Sequence, residues 1–284
     1  MNDVQIMDKK EESYREHIKK FASKIATMIC ERAKMEEPTI SSVVLQSVQN
    51  LKMNAQCEVI KFDERLKTRN SLIRKLLLNP RRISSFIDAQ FLQGGMLDQG
   101  LSQGCPFLFR IQPIMYDAVR YTLSLSKETY TENLLKMIKI LAQQNFQLLH
   151  MFNFWPISDV KKQNGSSREM REHLGIHAFF TTPNHFVFEI QFHTPDALEL
   201  NQTTTRQLYE KFRQAEHEST REQFRQQLIE AWNTIAIPDH LTLLDGHPFI
   251  QSCSHTLTSF PANFTCHSIH PMDRGLPQND LLQA

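Results

Sequence analysis

Between Glu11 and Lys34 the residues Tyr14, Ile18, Phe21, Ile25, Met28 and Ile29 recur every three or four positions, which predicts an amphipathic helix. Pro38 predicts a break, followed by a second helix capped by Thr39 or Ser41 and carrying Val43, Val44, Val48 and Leu51. A third, with Asn70 or Ser71 as cap, carries Leu72, Ile73, Leu76 and Leu77. Periodicity then lapses over 79–112, where Pro80, Gly94, Gly95, Gly100, Gly104 and Pro106 predict a long connection with one short helix near Ser84 to Phe91. Beyond it the pattern gives a strand over Met115 to Leu125, a helix over Tyr130 to Leu141 and a strand over Phe146 to Phe154. A polar loop over 158–172 precedes two strands, His173 to Phe180 and Phe186 to His193, joined as a hairpin through Thr181 to His185. Helices over 196–214 and 217–235 follow, then a tail from Pro238 that is poor in periodicity.

Two acids break this pattern. Glu189 sits among Phe186, Val187, Phe188, Ile190 and Phe192, in a run that otherwise reads as a buried central strand ended by Pro195. A buried carboxylate is costly unless it is paired or holds a metal, so Glu189 is a site candidate; the other reading places Glu189 and Gln191 on the solvated face of a two-sided strand. Asp117 interrupts the apolar face of the strand over Met115 to Leu125 near its start.

The stretch from Arg65 to Leu78 adds positive charge. With Ser71 in the first turn of its helix, Lys75 lies one turn along on the same face, and Arg65 and Lys67 project from the loop just before. Cations, a hydroxyl and a helix N-terminus suit a polyphosphate; an ordinary basic, solvated helix is the alternative. His17 reads as a helix-surface residue.

Composition narrows the class of partner. The 284 residues include 32 Lys and Arg against 31 Asp and Glu, so no bulk charge points to nucleic acid or membrane and any anion site must be local. That length suits one sizeable domain with appendages. Cys30, Cys57, Cys105, Cys253 and Cys266 are scattered without C-x-x-C spacing, which fits free thiols in a reducing compartment. Cys253, His255, Cys266 and His270 match no standard zinc spacing, and the tail is expected to drape over the domain or stay disordered and to carry a translocation or partner signal. No signal-like or membrane-spanning apolar run is present, so the expected location is a cytoplasm, its own or that of a target cell reached without a cleaved signal peptide.

Three motifs in order, over about 60–235, resemble the synthetase domain of RelA/SpoT-type nucleotide pyrophosphokinases. Arg65-x-Lys67-x-x-x-Ser71-x-x-x-Lys75 is similar to that family's ATP-phosphate loop, and Asp117-Ala-Val-Arg120 to its magnesium-binding strand. Glu189-Ile-Gln191-Phe-His193-Thr-Pro195, followed by Leu208-Tyr209-Glu210, is similar to its Glu-x-Gln strand in the form found in a phage-associated, toxin-like branch. The resemblance implies an α+β, nucleotidyltransferase-like fold, a mixed β-sheet flanked by helices, with N-terminal helices packed on the core over 1–58, the synthetase domain over 59–236 and an irregular tail over 237–284.

It also implies transfer of pyrophosphate from ATP to a nucleoside 3′-hydroxyl with release of AMP. Arg65, Lys67, Ser71 and Lys75 would hold the β- and γ-phosphates, and Asp117 and Glu189 would bind Mg²⁺. Glu189 would also take the proton of the attacking hydroxyl, while Arg120 and Gln191 orient these groups. His173, His177, Gln191 and His193 would face the acceptor. The chain departs from the alarmone synthetases there. His173-Leu-Gly-Ile-His177 stands where they carry a Tyr that stacks on guanine, His193 replaces an Arg, and Phe152-Asn153 replaces a basic residue. The acceptor is therefore open among GDP or GTP, an adenine nucleotide and the 3′ end of a tRNA. With a single His and no His-Asp pair in the first sixty residues, synthesis without hydrolysis is expected, in a toxin or injected effector. The alternative is a catalytically silent nucleotide-binding or partner-binding module of the same fold.

Overall fold

A single helix, α1 (Asp3–Lys52), carries the whole N-terminal apolar pattern in a computed structural model that describes residues 3–52, 57–77, 115–155, 174–244 and 250–252. The break expected at Pro38 does not occur, and Thr39 and Ser41 lie inside the helix rather than at a cap. The reason is phase: Ile25, Ile29, Ala33, Ile40, Val44, Val48 and Leu51 are all buried, so one stripe runs through Pro38 without a slip. Burial of that stripe offsets the roughly 3 kcal/mol that a proline costs in a helix interior.

The chain then forms β1 (Cys57–Ile60), which the sequence pattern missed, and α2 (Arg69–Leu77). The next elements are β2 (Arg120–Leu125), α3 (Tyr130–Gln143), β3 (Gln147–Asn153), β4 (Ile176–Thr181) and β5 (Val187–His193). After β5 a continuous helical run comprises α4 (Pro195–Leu200), a π turn over Asn201–Thr205 and α5 (Arg206–Gln214); α6 (Glu218–Trp232) follows. Thr194 caps α4 by accepting from the Ala197 N–H, so Pro195 both ends β5 and opens the helix.

The described strands form one mixed sheet in the order β1-β2-β5-β4-β3-β6, where β6 (Ile250–Ser252) pairs parallel with β3. The expected hairpin is present as antiparallel β4 and β5, and β5 lies parallel to β2. The class is thus α+β. Among the described residues after 237, Leu241–Leu244 form a 3-10 turn with Leu241 and Leu244 buried, and β6 extends the sheet. The connection over 79–112 with its short helix, the loop over 158–172, and the four Cys and His residues of the tail lie outside the described residues. Neither Cys30 nor Cys57 forms a disulfide. Among the described residues no helix is long and apolar enough to cross a membrane.

Strand alternation gives the sheet two faces. Tyr121, Leu123, Phe188, Ile190, Phe192, Phe180 and Ala178 join a large core with the buried stripe of α1 and with Leu134, Met137 and Leu141 of α3. Phe152, Phe179 and Val187 form a separate small cluster, with Tyr116, Leu149 and Phe154 against it, on the other face. Glu189 belongs to that second face.

Candidate active site

Backbone pairing brings the basic loop to the first acid. Arg120 donates its N–H to the Arg65 carbonyl at 2.8 Å, and Lys67 donates its N–H to the Ala118 carbonyl at 3.0 Å, around a bridge between Leu66 and Val119. This short antiparallel contact places Lys67 beside Asp117, which lies in the turn leading into β2 and not within the strand as expected. α2 begins at Arg69, and its cap is Thr68, whose hydroxyl oxygen accepts from the Ser71 N–H at 3.3 Å, in place of Asn70 or Ser71. Arg69 fastens the helix start to α1 by donating to Thr27 Oγ1 at 2.8 Å. Lys75 then reaches Asp117.

Asp117 is 8% exposed, and each of its oxygens is engaged. Lys75 Nζ donates to Oδ1 at 2.7 Å, and Lys67 Nζ donates to Oδ2. Burial favours the neutral acid, but the Lys75 and Lys67 ammoniums outweigh it and hold the carboxyl at about 2. Burial pushes the Lys67 ammonium down despite the Asp117 charge.

Glu189 sits one strand over. Its N–H donates to the Val119 carbonyl at 3.0 Å, and its register partners are Arg120 on β2 and Phe179 on β4. It is 4% exposed, which removes the solvated-face reading. Gln191 Nε2 donates to Oε1 at 2.9 Å, and His177 Nδ1 lies 3.0 Å from the same oxygen. Burial would raise this acid, yet the His177 contact wins and keeps it below its ordinary value, with Arg120 adding to that effect and Asp117 opposing it. Glu189 is therefore ionised at neutral pH.

The remaining candidates divide. Gln191 and His177 are register partners beside Glu189, so both are brought to the acid. Ser71 lies in the first turn of α2 on the face of Lys75. His193 is buried, with Nδ1 2.7 Å from the Leu174 carbonyl oxygen and its ring centroid 6.0 Å from that of His177. It also requires Gly175, whose φ is +145° and where a Cβ would stand 2.7 Å from His193 Nδ1. His173 lies outside the described residues.

Arg65 is turned toward α1. Its Nε donates to Glu37 Oε1, its Nη1 donates to the Phe62 carbonyl at 3.0 Å, and its guanidinium lies 4.0 Å from the Phe62 ring centroid. The Ser41 hydroxyl donates to the same Glu37 oxygen, so the Tyr121 hydroxyl, 2.9 Å from Ser41 Oγ, is the donor in that pair. Glu37, Ser41 and Tyr121 thus anchor the loop that carries Lys67. The sequence reading missed them because it split α1 at Pro38; unbroken helical phase places Glu37 on the buried stripe between Ala33 and Ile40. Phe154, whose ring centroid lies 4.8 Å from that of His177, and Tyr116, 5.4 Å from Phe179, were missed as well. They border the acids with aromatic surface.

Among the described residues no three His, Cys, Asp or Glu side chains converge as a metal cage. Asp117 and Glu189 nevertheless offer hard carboxylate oxygens, and Mg²⁺ is commonly held by one or two carboxylates with substrate phosphates and water supplying the rest. Compared with models of known protein families and with curated proteins, the chain matches none.

Proposed function

We propose that the chain is a nucleotidyltransferase-like, magnesium-dependent ATP pyrophosphokinase that acts on the 3′-hydroxyl of a nucleotide or RNA acceptor. The observation that carries this reading is the meeting of Lys67 and Lys75 at Asp117, beside Glu189 and Arg120 on adjacent parallel strands. Phosphoryl transfer asks a protein mainly for positioning and charge neutralisation, and these side chains supply both.

In the proposed reaction the acceptor oxygen bonds to the β-phosphorus of ATP, the bond from that phosphorus to the α,β-bridging oxygen breaks, and AMP leaves. Lys67, Lys75 and Arg120 neutralise phosphate oxygens, and Ser71 with the start of α2 adds donors. Ionised Glu189 accepts the hydroxyl proton, with Gln191 and His177 fixing its orientation. Asp117 and Glu189 would hold Mg²⁺, which makes the β-phosphorus more electrophilic.

Incubation with γ-labelled ATP, Mg²⁺ and GDP, GTP, ATP or tRNA in turn tests the reading. The expected result is AMP release with label on at least one acceptor, lowered about a hundredfold or more by Glu189→Gln. A folded protein that releases no AMP with any acceptor overturns it. A second reading, a silent nucleotide-binding or partner-binding module, draws on the engagement of Arg65 with Glu37 and of both Asp117 oxygens with lysines. It predicts ATP binding without turnover, and any growth inhibition would survive Glu189→Gln.

A further inference from the structure

The cluster that would receive nucleotide and metal is cationic as it stands. Lys67, Lys75 and Arg120 contribute three positive charges and Asp117 and Glu189 two negative ones, a balance of +1 among these five side chains. Nor are the acids bare. Asp117 is closed on Oδ1 by Lys75 and on Oδ2 by Lys67, and Glu189 Oε1 is shared by Gln191 and His177. A divalent cation arriving alone would have to displace an ammonium from a buried carboxylate within a positive field, which is unfavourable on both counts.

A polyphosphate changes that balance. Its oxygens are stronger partners for the two ammoniums than a single carboxylate, because they offer several negative charges over a wider span. Lys75 stands at 38% side-chain exposure and Lys67 at 18%, against 11% for Asp117, so the lysines have more access to solvent than the acid they cover. Their flexible four-carbon stems let the ammoniums move while the carboxylate stays in its turn.

We propose that Lys67 and Lys75 form an electrostatic clamp on Asp117 that a nucleoside polyphosphate releases, so that this carboxylate becomes a metal ligand only once the phosphates are in place. The proposal rests on the pyrophosphokinase reading for the identity of its ligands and adds a binding order to it. The protein takes the polyphosphate without metal, and metal and polyphosphate strengthen each other's binding. By linkage the coupling is reciprocal, and values of about 5- to 150-fold are usual for such pairs. A clamp of this kind also keeps the site from filling with divalent cation when nucleotide is scarce.

Mn²⁺ titration of the full-length protein, read by electron paramagnetic resonance, tests this. The probe is Mn²⁺ alone, then Mn²⁺ with inorganic tripolyphosphate or α,β-methylene-ATP, each corrected for the metal that the phosphate binds in protein-free solution. Wild-type protein is expected to leave Mn²⁺ free, and either phosphate is expected to tighten protein-bound Mn²⁺ about tenfold or more. The Lys67→Gln/Lys75→Gln variant should bind Mn²⁺ without phosphate, and adding Asp117→Asn should abolish that binding. Lys75→Gln alone opens only the more exposed half of the clamp; should the double variant not fold, this single variant must show a smaller gain in the same direction. Phosphate-independent Mn²⁺ binding to wild type, as tight as in the lysine variants, overturns the clamp, as does failure of a folded lysine variant to gain it. The two readings fail separately. AMP release together with metal binding to unliganded wild type leaves the enzyme and removes the clamp, whereas the expected Mn²⁺ pattern without AMP release does the reverse.

Discussion

Asp117 shows how single residues set this site. Its carboxyl is held at about 2, below the ordinary 3.8, because the attraction of Lys75 and Lys67 exceeds the cost of burial. A depressed folded-state value means that ionised Asp117 stabilises the fold fully above pH 3.8, and that this contribution is lost as pH falls toward 2. The shift corresponds to a contribution on the order of 2 kcal/mol. Urea midpoints of wild type and Asp117→Asn should therefore differ at pH 5 and converge as pH falls from 4 to 2; a gap unchanged over that range would contradict the ion-pair account. The two acids were legible in the sequence as polar interruptions of apolar runs. Their closeness was not: 72 positions separate Asp117 from Glu189, and only the parallel pairing of β2 with β5 joins them. The turn of Arg65 toward Glu37 was equally hidden, since the motif spacing fixes where its Cα falls and not which of two acids its side chain meets.

At the scale of elements, α1 is the part that the sequence pattern described least well. Proline is a dependable helix breaker when the neighbouring residues have no other reason to stay helical. Here Ile40, Val44, Val48 and Leu51 continue the buried stripe and supply that reason. The consequence reaches the phosphate loop, because Glu37 lies on the same stripe one residue before Pro38 and binds Arg65. Glu37→Ala should cost about 2 to 3 kcal/mol, since it leaves the Arg65 guanidinium and the Ser41 hydroxyl without their shared acceptor. Tyr121→Phe, which removes one hydroxyl, should cost about 1 kcal/mol. Equilibrium denaturation compares them, and equal effects would mean that Glu37 does not anchor the loop. β1 escaped notice for a related reason: Cys57 to Ile60 is too short for periodicity to register, and its pairing with β2 is what makes it a strand.

For the molecule as a whole, α1 and the sheet make one core. Ile18, Phe21, Ile25, Ile29, Ile40, Val44, Val48 and Leu51 belong to the same buried cluster as Phe188 and Ile190. At about 1.5 kcal/mol or more for each buried side chain, that stripe contributes on the order of 10 kcal/mol, comparable with the entire stability of a typical domain. Removal of residues 1–52 should therefore abolish cooperative unfolding; a truncated chain that still melts in one sharp urea transition, followed by circular dichroism, would show that the region from 59 to 236 stands alone.

The sequence by itself determined most of the elements, the hairpin that carries Glu189, and the turn of chain that carries Lys67 and Lys75. These follow from periodicities and turn residues that act over a few positions. Tertiary structure decided that α1 passes through Pro38, that Asp117 waits between two lysines, and that Glu189 is fixed by Gln191 and His177. Each of those outcomes depends on which distant side chain occupies the other side of a contact, and no local pattern encodes that.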